Sequence, residues 1–351
     1  MDVEILDVNS SKWKTILDQF PHDIYYLPEY VSLEATRLQA KPEGILIQEK
    51  DSQFFLPYLL RNCSNLFRET VATEEIYDAV SPYGYPGILV NSAGVLNPGF
   101  GDLALQHLTE AFKQRQICSL FVRNHPILCS ELVNLLAPDT LTYQGETVSI
   151  DLTLSDGELW SHTRRGHQST INKCKRLGYT AKFVKPRDYL DKFLEIYYQT
   201  MSRVSAHPDY YFQREYFDNL LKLDDYLHLG IVQQEEEIVA LSLFWECDGI
   251  VQAHLGGTKT EFLKDSPFSL LLDAARYWAK ARGNRYLHIG GGVGATEDAL
   301  YRFKSGFSKQ RHKYWTLRLI TNLTQYNHLV SIKEQERSEP LETNFFPAYR
   351  V

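Results

Sequence analysis

The feature that most constrains the fold of this chain is a succession of structural elements that occurs twice. In the first half, the hairpin pattern GILIQEKDSQFFLPYLLR is followed by the extended stretch SPYGYPGILV, the helix pattern GDLALQHLTEAFKQRQ and the apolar strand pattern CSLFVR. In the second half, YLHLGIVQQEEEIVALSLFWECDGIVQAHLGGT predicts three antiparallel strands, and the helix pattern SPFSLLLDAARYWAKARG and the strand pattern RYLHIG follow. This order favours two copies of one α/β unit over one continuous doubly wound sheet.

The domain boundaries follow from this repetition. The length of 351 residues fits two domains of about 150 residues each. We place the boundary near Asp151 and predict an N-terminal domain over 1–150, a C-terminal domain over 151–330 and a tail over 331–351. The tail is first polar and then aromatic, and we expect it to dock on the folded chain. In the second helix pattern, Ser266 is predicted to cap the helix and Pro267 to occupy its first position.

Basic residues are concentrated in two segments that contain no acid. The net charge is −7, but residues 159–187 hold eight Lys and Arg and residues 299–333 hold seven, so the remainder of the chain carries −22. Two cationic segments in an acidic chain indicate local recognition of a polyanion. The alternative is two solvated faces whose cations pair with acids elsewhere in the chain.

The stretch RYLHIGGGVGATEDALYRFKSGF matches the dinucleotide-binding pattern GxGxxG/A only formally. That site needs an acid about 20 residues further on, and no acid lies between Asp298 and Glu334. Glu297 and Asp298 also occupy the start of the next helix, where they would repel a pyrophosphate. The glycines therefore predict either a close approach of substrate to bare backbone or a turn that only packs.

At this point the residues resemble those of a known family, the Fem-type transferases. The similar segments are LHIGGGVGATEDALYRFKSGFS, WSHTRRGHQSTINKCKRLGY, DIYYLPEY and SPYGYPGIL, and the resemblance covers about residues 20 to 320. It implies a mixed α/β fold with two tandem domains of the GNAT (acyl-CoA N-acyltransferase) type. It also implies transfer of an aminoacyl group from aminoacyl-tRNA to an amino group of a peptidoglycan or other cell-envelope precursor. The coiled-coil arm of some family members is absent, because no long heptad run occurs.

The resemblance also implies roles for individual residues. Lys304 and the preceding Phe303 are the expected catalytic residues, and Lys304 is expected to act on the donor ester and on the oxyanion that develops during transfer. We expect Leu300, Phe303 and Phe307 to form the inward face of its helix. Arg203 resembles the arginine with which the family contacts phosphates of the acceptor, and Tyr83 and Tyr85 are expected to line the acceptor side. The other residues expected to bind substrate are Arg164, Arg165, Lys173, Gly291, Gly292 and Tyr301.

No general base is evident from the sequence. His254 and His288 lie near strand ends on either side of the 266–282 helix pattern, where a base would be placed. A buried histidine with a hydrogen-bond partner is the more common interpretation of each. The substrate or solvent is the alternative acceptor of the proton.

Three functions remain open at this point. The first is an aminoacyl-tRNA-dependent N-acyltransferase, and the second is a CoA-dependent N-acyltransferase acting on an amino sugar or small amine. The usual CoA motif is absent, because Gly256 and Gly257 lack its spacing and Glu261 and Asp265 precede the next helix. The third is a binding module that holds tRNA or a nucleotide sugar without catalysis.

The remaining expectations concern cofactors, partners and location. We expect no cofactor or metal, with aminoacyl-tRNA or acyl-CoA as co-substrate, and an amine-bearing acceptor such as a nucleotide- or lipid-linked precursor. No apolar run is long enough for a transmembrane helix, the first residues lack the pattern of a signal peptide, and no DNA partner is expected. Five scattered cysteines without a zinc spacing predict reduced thiols in the cytoplasm.

Overall fold

The computed structural model describes residues 1–67, 75–337, 340–341 and 345–351. The chain forms two compact units, the first made of Met1–Gln144 and Lys313–Val351 and the second of Gly145–His312. These boundaries differ from the predicted division at 150 and 330. The reason is that the strand beginning at Arg311 pairs with a strand of the first unit, so the end of the chain belongs to that unit.

The elements before the second unit alternate between short helices and the strands of one sheet. In chain order they are β1 (Asp2–Asp7), α1 (Ser11–Leu17), α2 (Pro28–Leu38), β2 (Lys41–Glu49), β3 (Ser52–Asn62), β4 (Tyr77–Val80), β5 (Leu89–Val90), α3 (Ser92–Val95), α4 (Phe100–Gln114), β6 (Ile117–Arg123) and α5 (Leu132–Leu135).

The elements that follow begin with a strand that enters the second unit. They are β7 (Leu141–Asp151), α6 (Asp156–His162), α7 (Arg165–Arg176), β8 (Tyr179–Val184), α8 (Leu190–Arg203), α9 (Arg214–Leu220), β9 (Leu227–Gln234), β10 (Glu237–Cys247), β11 (Ile250–Thr258), α10 (Pro267–Ala281), β12 (Tyr286–Gly290), α11 (Ala299–Lys304), β13 (Arg311–Ile320) and α12 (Leu323–Arg337).

The first unit is built on strands in the order β1-β2-β3-β4-β6-β13. Neighbouring strands are antiparallel except β4 and β6, which run parallel with Val80 opposite Phe121. The chain passes from β4 to β6 through α4, which is the kind of crossover that a parallel pair requires. The apolar face of α4, with Phe100, Leu108 and Phe112, is buried in the core of this unit.

The second unit repeats this arrangement with the strand order β7-β12-β11-β10-β9-β8. Here β11 and β12 are the parallel pair, and they are paired only from Ile250–Tyr286 to Gln252–His288. The crossover helix α10 buries Leu270, Leu271 and Leu272 in the core. The predicted repetition of hairpin, strand, helix and strand is therefore present in both units, and the predicted mixed α/β class is confirmed.

The start of α10 agrees with the predicted positions of both residues. Ser266 is the N-cap residue and Pro267 occupies the first helical position, as predicted. The Ser266 side chain makes no capping hydrogen bond, since its hydroxyl donates to the Leu263 carbonyl at 3.4 Å and its backbone has φ +50°.

The end of the chain packs into the first unit. Tyr349 is fully buried, and its hydroxyl lies 2.7 Å from Ser119 Oγ. Arg350 forms an ion pair with the buried carboxylate of Asp78. The expected docking of the tail holds for these residues, whereas residues 338–339 and 342–344 of the predicted tail lie outside the described part of the chain.

The described residues contain neither a membrane-spanning helix nor a cluster of metal ligands. None of the helices there combines the length and the apolar character that crossing a membrane demands. In the same residues, no cluster of three or more His, Cys, Asp and Glu side chains is placed to hold a metal ion.

Candidate active site

The centre of the candidate site is the glycine turn that links β12 to α11 in the second unit. Gly290 has φ +76°, Gly294 has φ +60° and Ala295 has φ +62°, so three residues of the turn have a left-handed backbone conformation. Glycine adopts that region without the steric cost that other residues incur. A tight turn of this kind brings the start of α11 back beside the end of β12.

Gly291 and Gly292 are both in close contact with other parts of the second unit. A Cβ on Gly292 would lie 2.0 Å from the Thr296 carbonyl oxygen and 2.4 Å from Asp298 Oδ1. A Cβ on Gly291 would lie 2.8 Å from the carbonyl oxygen of Glu146 in β7. These contacts support the interpretation of a packed turn, and close approach of substrate to either glycine stays a prediction.

Asp298 holds the turn together and caps α11. Its Oδ1 accepts from the Tyr301 N–H at 2.8 Å, and its Oδ2 accepts from the Val293 N–H at 3.1 Å. Burial alone would raise the pKa of Asp298, but these backbone N–H groups lower it below its ordinary value. Because the chain's own carboxylate occupies this helix N-terminus, the geometry supports the exclusion of a dinucleotide pyrophosphate there.

Lys304, the last residue of α11, extends back toward the end of β12. Its Nζ donates to the carbonyl oxygen of Gly291 at 2.7 Å, and the side chain is half-buried. Within the described residues, no carboxylate lies within 4 Å of the ammonium. Burial lowers the pKa of Lys304 to about 8, with a partial opposing effect from the Asp298 charge. An ammonium has three donors, so two remain for the oxygen of a ligand.

The inward face of α11 differs from the predicted one. Leu300 is 41% exposed, so its predicted inward position is wrong, while Tyr301 is buried and its hydroxyl donates to Glu146 Oε2 at 2.8 Å. Burial and the Glu146 carboxylate raise the pKa of the Tyr301 phenol, which therefore stays protonated. Phe307 is buried and Phe303 half-buried, as the predicted face requires.

The end of α11 is held against the start of α7 by ring packing and hydrogen bonds. His167, which is buried, lies with its ring 5.2 Å from that of Phe303 and 4.6 Å from that of Phe307. Its Nε2 donates to the Phe303 carbonyl at 2.8 Å. The backbone N–H of Arg164 donates to the Gly306 carbonyl at 2.7 Å. Arg164 is thereby held beside the segment that carries Lys304.

The predicted basic segment is partly neutralised. Lys173 pairs with Asp265 at 2.8 Å, and Lys175 pairs with Asp273 at 3.1 Å. Arg164 and Arg165 are exposed and form no ion pair with the described residues. The alternative of cations paired with acids thus applies to the two lysines, while the two arginines remain available to a polyanion.

Arg203 forms hydrogen bonds with the end of β11 and with the turn after it. Its guanidinium donates to the Thr258 carbonyl at 3.0 Å and lies 3.2 Å from Thr260 Oγ1. These contacts stabilise the end of β11. Contact between Arg203 and a phosphate of the acceptor stays a prediction.

Tyr83 and Tyr85 lie in the first unit, after β4. The Tyr83 carbonyl accepts from the Tyr30 hydroxyl at 3.1 Å, and the ring of Tyr85 lies 5.4 Å from that of Tyr314. The segment that follows approaches the end of β6 closely, since a Cβ on Gly87 would be 2.5 Å from the Asn124 Cα. The expected role of both tyrosines in acceptor binding stays a prediction.

The two histidines considered as bases belong to the sheet of the second unit. His288 is buried in β12, and its Nδ1 lies 2.6 Å from Gln252 Oε1. Burial lowers the pKa of His254 in β11 to about 3, so this imidazole is neutral at physiological pH. Both positions fit the interpretation of packed histidines better than that of a base.

Three residues that shape the site were not selected from the sequence. They are His167, Glu146 and the capping Asp298. The sequence does allow Asp298 to be predicted as a helix cap, because an Asp just before an amphipathic helix is a typical cap. Nothing in the local sequence marks His167 or Glu146, because their partners lie 136 and 155 residues away in the chain.

Comparison with known proteins identifies the fold. Residues 161–305 match the family model described as acetyltransferase (GNAT) domain. The matched segment extends from the residues before α7 to the end of α11, so it includes Arg164, His167 and Lys304. This match confirms the predicted enzyme class, an acyltransferase. The comparison with curated proteins gives no match.

Solved structures extend the likeness to both units. FemX is similar at 13% identity and a TM-score of 0.68, covering 92% of this chain and 99% of that one. The C-terminal domain (DUF2156) of a protein from Agrobacterium fabrum has 12% identity, a TM-score of 0.53 and coverages of 90% and 92%. A conserved protein of unknown function from Bacteroides thetaiotaomicron VPI-5482 has 12% identity, a TM-score of 0.51 and coverages of 91% and 100%. The predicted tandem GNAT-like fold and its resemblance to the Fem type are confirmed as a similarity of fold.

Proposed function

We propose that this protein transfers an aminoacyl group from aminoacyl-tRNA to an amino group of a cell-wall, glycan or peptide precursor, and that Lys304 is the catalytic residue. The single observation that carries the proposal is the state of the Lys304 ammonium. It is half-buried, fixed by one hydrogen bond to Gly291, and without a carboxylate within 4 Å among the described residues. A buried charge without a close counter-charge is costly, which is typical of a functional group.

The reaction needs a cation of this kind. The nitrogen of the acceptor amine attacks the acyl carbon, so that an N–C bond forms and the acyl oxygen becomes negatively charged. When the bond from the acyl carbon to the donor's ester oxygen breaks, the proton lost by the nitrogen is passed to the leaving oxygen. One positioned donor at the developing oxyanion is worth about 3 kcal/mol of transition-state stabilisation. The two remaining N–H groups of Lys304 are suited to this role.

The surroundings of the ammonium keep it in place for this step. Gly291 accepts one of its hydrogen bonds, and the neighbouring Tyr301 is fixed through Glu146. Lys304 is thus held at both its backbone and its Nζ, so little reorganisation is needed when charge develops. In this proposal Phe303 and Tyr301 orient the lysine, and the acceptor amine loses its proton to substrate or solvent.

Two observations favour tRNA as the donor over CoA. Arg164 and Arg165 are exposed and form no ion pair with a described carboxylate, so their charges are available to phosphates. Just before α10, the Asp265 carboxylate accepts from Lys173 and from the Tyr179 hydroxyl, each at 2.8 Å. Lys173 is thereby engaged by a carboxylate of the chain and is not free to bind the pyrophosphate of CoA at the start of this helix.

Acyl-CoA remains the second candidate donor, because the family model matched by 161–305 is that of an acetyltransferase domain. The two donors are separated by supplying each to the purified chain with a mixture of amine acceptors. With radiolabelled aminoacyl-tRNA, we expect label to move into an amide product that resists mild alkali, unlike the donor ester, and no free thiol to appear. Stoichiometric release of CoA thiol with acyl-CoA, and no transfer from aminoacyl-tRNA, would overturn the choice of donor. Absence of transfer from both would favour a binding module.

A further inference from the structure

The contact between α7 and the end of α11 is unusually close for two short elements. A Cβ on Gly306 would lie only 2.7 Å from the His167 ring, so glycine is needed there for the ring to fit. The ring is enclosed by Phe303 and Phe307, and the Arg164 N–H binds the Gly306 carbonyl on the same side. His167 thus lies against the residues on either side of Lys304.

The hydrogen bonds of His167 determine its tautomer. The carbonyl of Phe303 can only accept, so Nε2 must carry the proton that it receives at 2.8 Å. Nδ1 lies 3.4 Å from an N–H of Arg164, which can only donate, so Nδ1 must be the acceptor. Burial, together with the Arg164 charge, lowers the pKa of His167, and the neutral ring fits both partners.

The carbonyl that His167 binds belongs to the residue immediately before Lys304. It lies in the last turn of a six-residue helix and also accepts from the Gly306 N–H at 3.1 Å, so the bond from His167 adds a tertiary contact to this turn. A helix of this length has little stability of its own, so tertiary contacts must set its orientation. The orientation of the last turn in turn decides whether Lys304 Nζ reaches the Gly291 carbonyl.

We propose that His167 is the positioning residue for Lys304: through the Phe303 carbonyl and the packed Gly306, it holds the end of α11 so that the ammonium stays on Gly291 and faces the acyl group. This inference rests on the proposed function for its catalytic meaning. Its structural content, that His167 controls the environment of the Lys304 ammonium, is testable without any substrate.

The test measures the reactivity of Lys304 with trace isotopic acetic anhydride between pH 6 and 11, followed by mass spectrometry. Exposed Lys309 in the same protein serves as the internal reference. In the unaltered chain we expect Lys304 to become reactive with a midpoint near pH 8. In His167→Phe, which keeps an aromatic ring but lacks the donor, the Lys304 midpoint should rise by about one unit or more as the side chain gains solvent.

Two further variants make the result decisive. His167→Gln retains an N–H donor and should keep the midpoint closer to that of the unaltered chain. Gly306→Ala displaces the ring without altering the histidine and should raise the midpoint as His167→Phe does, which also serves if His167→Phe does not fold. A folded His167→Phe or Gly306→Ala protein with an unchanged midpoint, even with a lowered melting temperature, would overturn the proposal. Because no donor or acceptor is used, that result is distinct from a failure of the transfer assay.

Discussion

The ammonium of Lys304 donates a 2.7 Å hydrogen bond to the carbonyl oxygen of Gly291, and this contact joins the end of α11 to the residue that follows β12. The glycine turn, the Asp298 cap and the His167 contact all act on the two ends of this bond. The features that the sequence presents as a glycine motif and a lysine motif are therefore parts of one arrangement in the structure.

The first prediction concerns the stability of Lys304→Met. Loss of the hydrogen bond to Gly291 lowers the stability of the fold by about 1 kcal/mol, and removal of a half-buried charge offsets this loss. Because burial lowers the folded-state pKa of Lys304 to about 8, the folded chain binds fewer protons than the unfolded chain between pH 8 and about 10.4. The charge of Lys304 therefore lowers the free energy of unfolding by its full amount below pH 8 and no longer lowers it above about pH 10.4.

In urea unfolding at pH 7, we expect the free energy of unfolding of Lys304→Met to be at most about 1 kcal/mol below that of the unaltered chain, or above it. The advantage of the variant should shrink as the pH is raised toward 10. A loss of several kcal/mol at pH 7 would show that Lys304 is a structural residue.

The second prediction concerns the pH dependence of transfer. If the cationic form of Lys304 is the active one, kcat should fall as the pH rises through about 8. The matched control is Lys304→Arg, whose guanidinium keeps its charge in this range and should lack this decline at a lower overall rate. A rate for the unaltered enzyme that stays level up to pH 10 would rule out the cation as the active form.

The third prediction concerns Gly292. A methyl group there would lie 2.0 Å from the Thr296 carbonyl oxygen, so Gly292→Ala must displace the turn. We expect a loss of about 1–3 kcal/mol in the free energy of unfolding. Gly157→Ala in α6 is the control, since no atom lies within 4 Å of the added Cβ, and it should leave stability unchanged or raise it by about 0.4–1 kcal/mol. Equal stability of the two variants would contradict the packed turn.

The fourth prediction concerns the basic segment. Arg164 and Arg165 are exposed and have no ion-pair partner among the described residues, whereas Lys173 pairs with Asp265. Replacing both arginines by Ala should weaken tRNA binding and reduce the slope of log K against log salt by about 0.7–0.9 per lost phosphate contact. Lys173→Ala should change the slope less. An unchanged slope in the double variant would remove the arginines from the binding surface.

Much of the fold could be predicted because local patterns determine it. The alternation of apolar residues in the hairpins and the 3.6-residue period of α4 and α10 give the repeated order of elements. The domain boundaries depended on a distant pairing, that of β13 with β6, which no local pattern records. The N-cap position of Ser266 could be predicted, whereas its left-handed backbone between the 3₁₀ turn at Thr260–Asp265 and α10 could not.

The site was predictable to a smaller extent. The motif singles out Lys304 and the glycines, whose roles in the reaction stay predictions. Of the predicted inward face of α11, Phe303 and Phe307 are confirmed, whereas Leu300 is exposed and Tyr301 is buried. Leucine is more hydrophobic than tyrosine, so a sequence pattern favours burial of Leu300. The structure instead buries Tyr301, because the Glu146 carboxylate accepts a hydrogen bond from its hydroxyl. His167 and Glu146 act through contacts with residues far away in the chain, so no spacing within the sequence reveals them.

The central claim, that Lys304 stabilises the oxyanion of acyl transfer, is tested most directly by steady-state kinetics of Lys304→Met with aminoacyl-tRNA and an amine acceptor. Because the cation acts on charge that exists only in the transition state, we expect kcat to fall by about 10²–10³ with KM nearly unchanged. Lys304→Arg should recover part of the loss, since its larger planar head fits the site differently. A folded Lys304→Met enzyme with full kcat would contradict the mechanism and leave only the assignment of the fold.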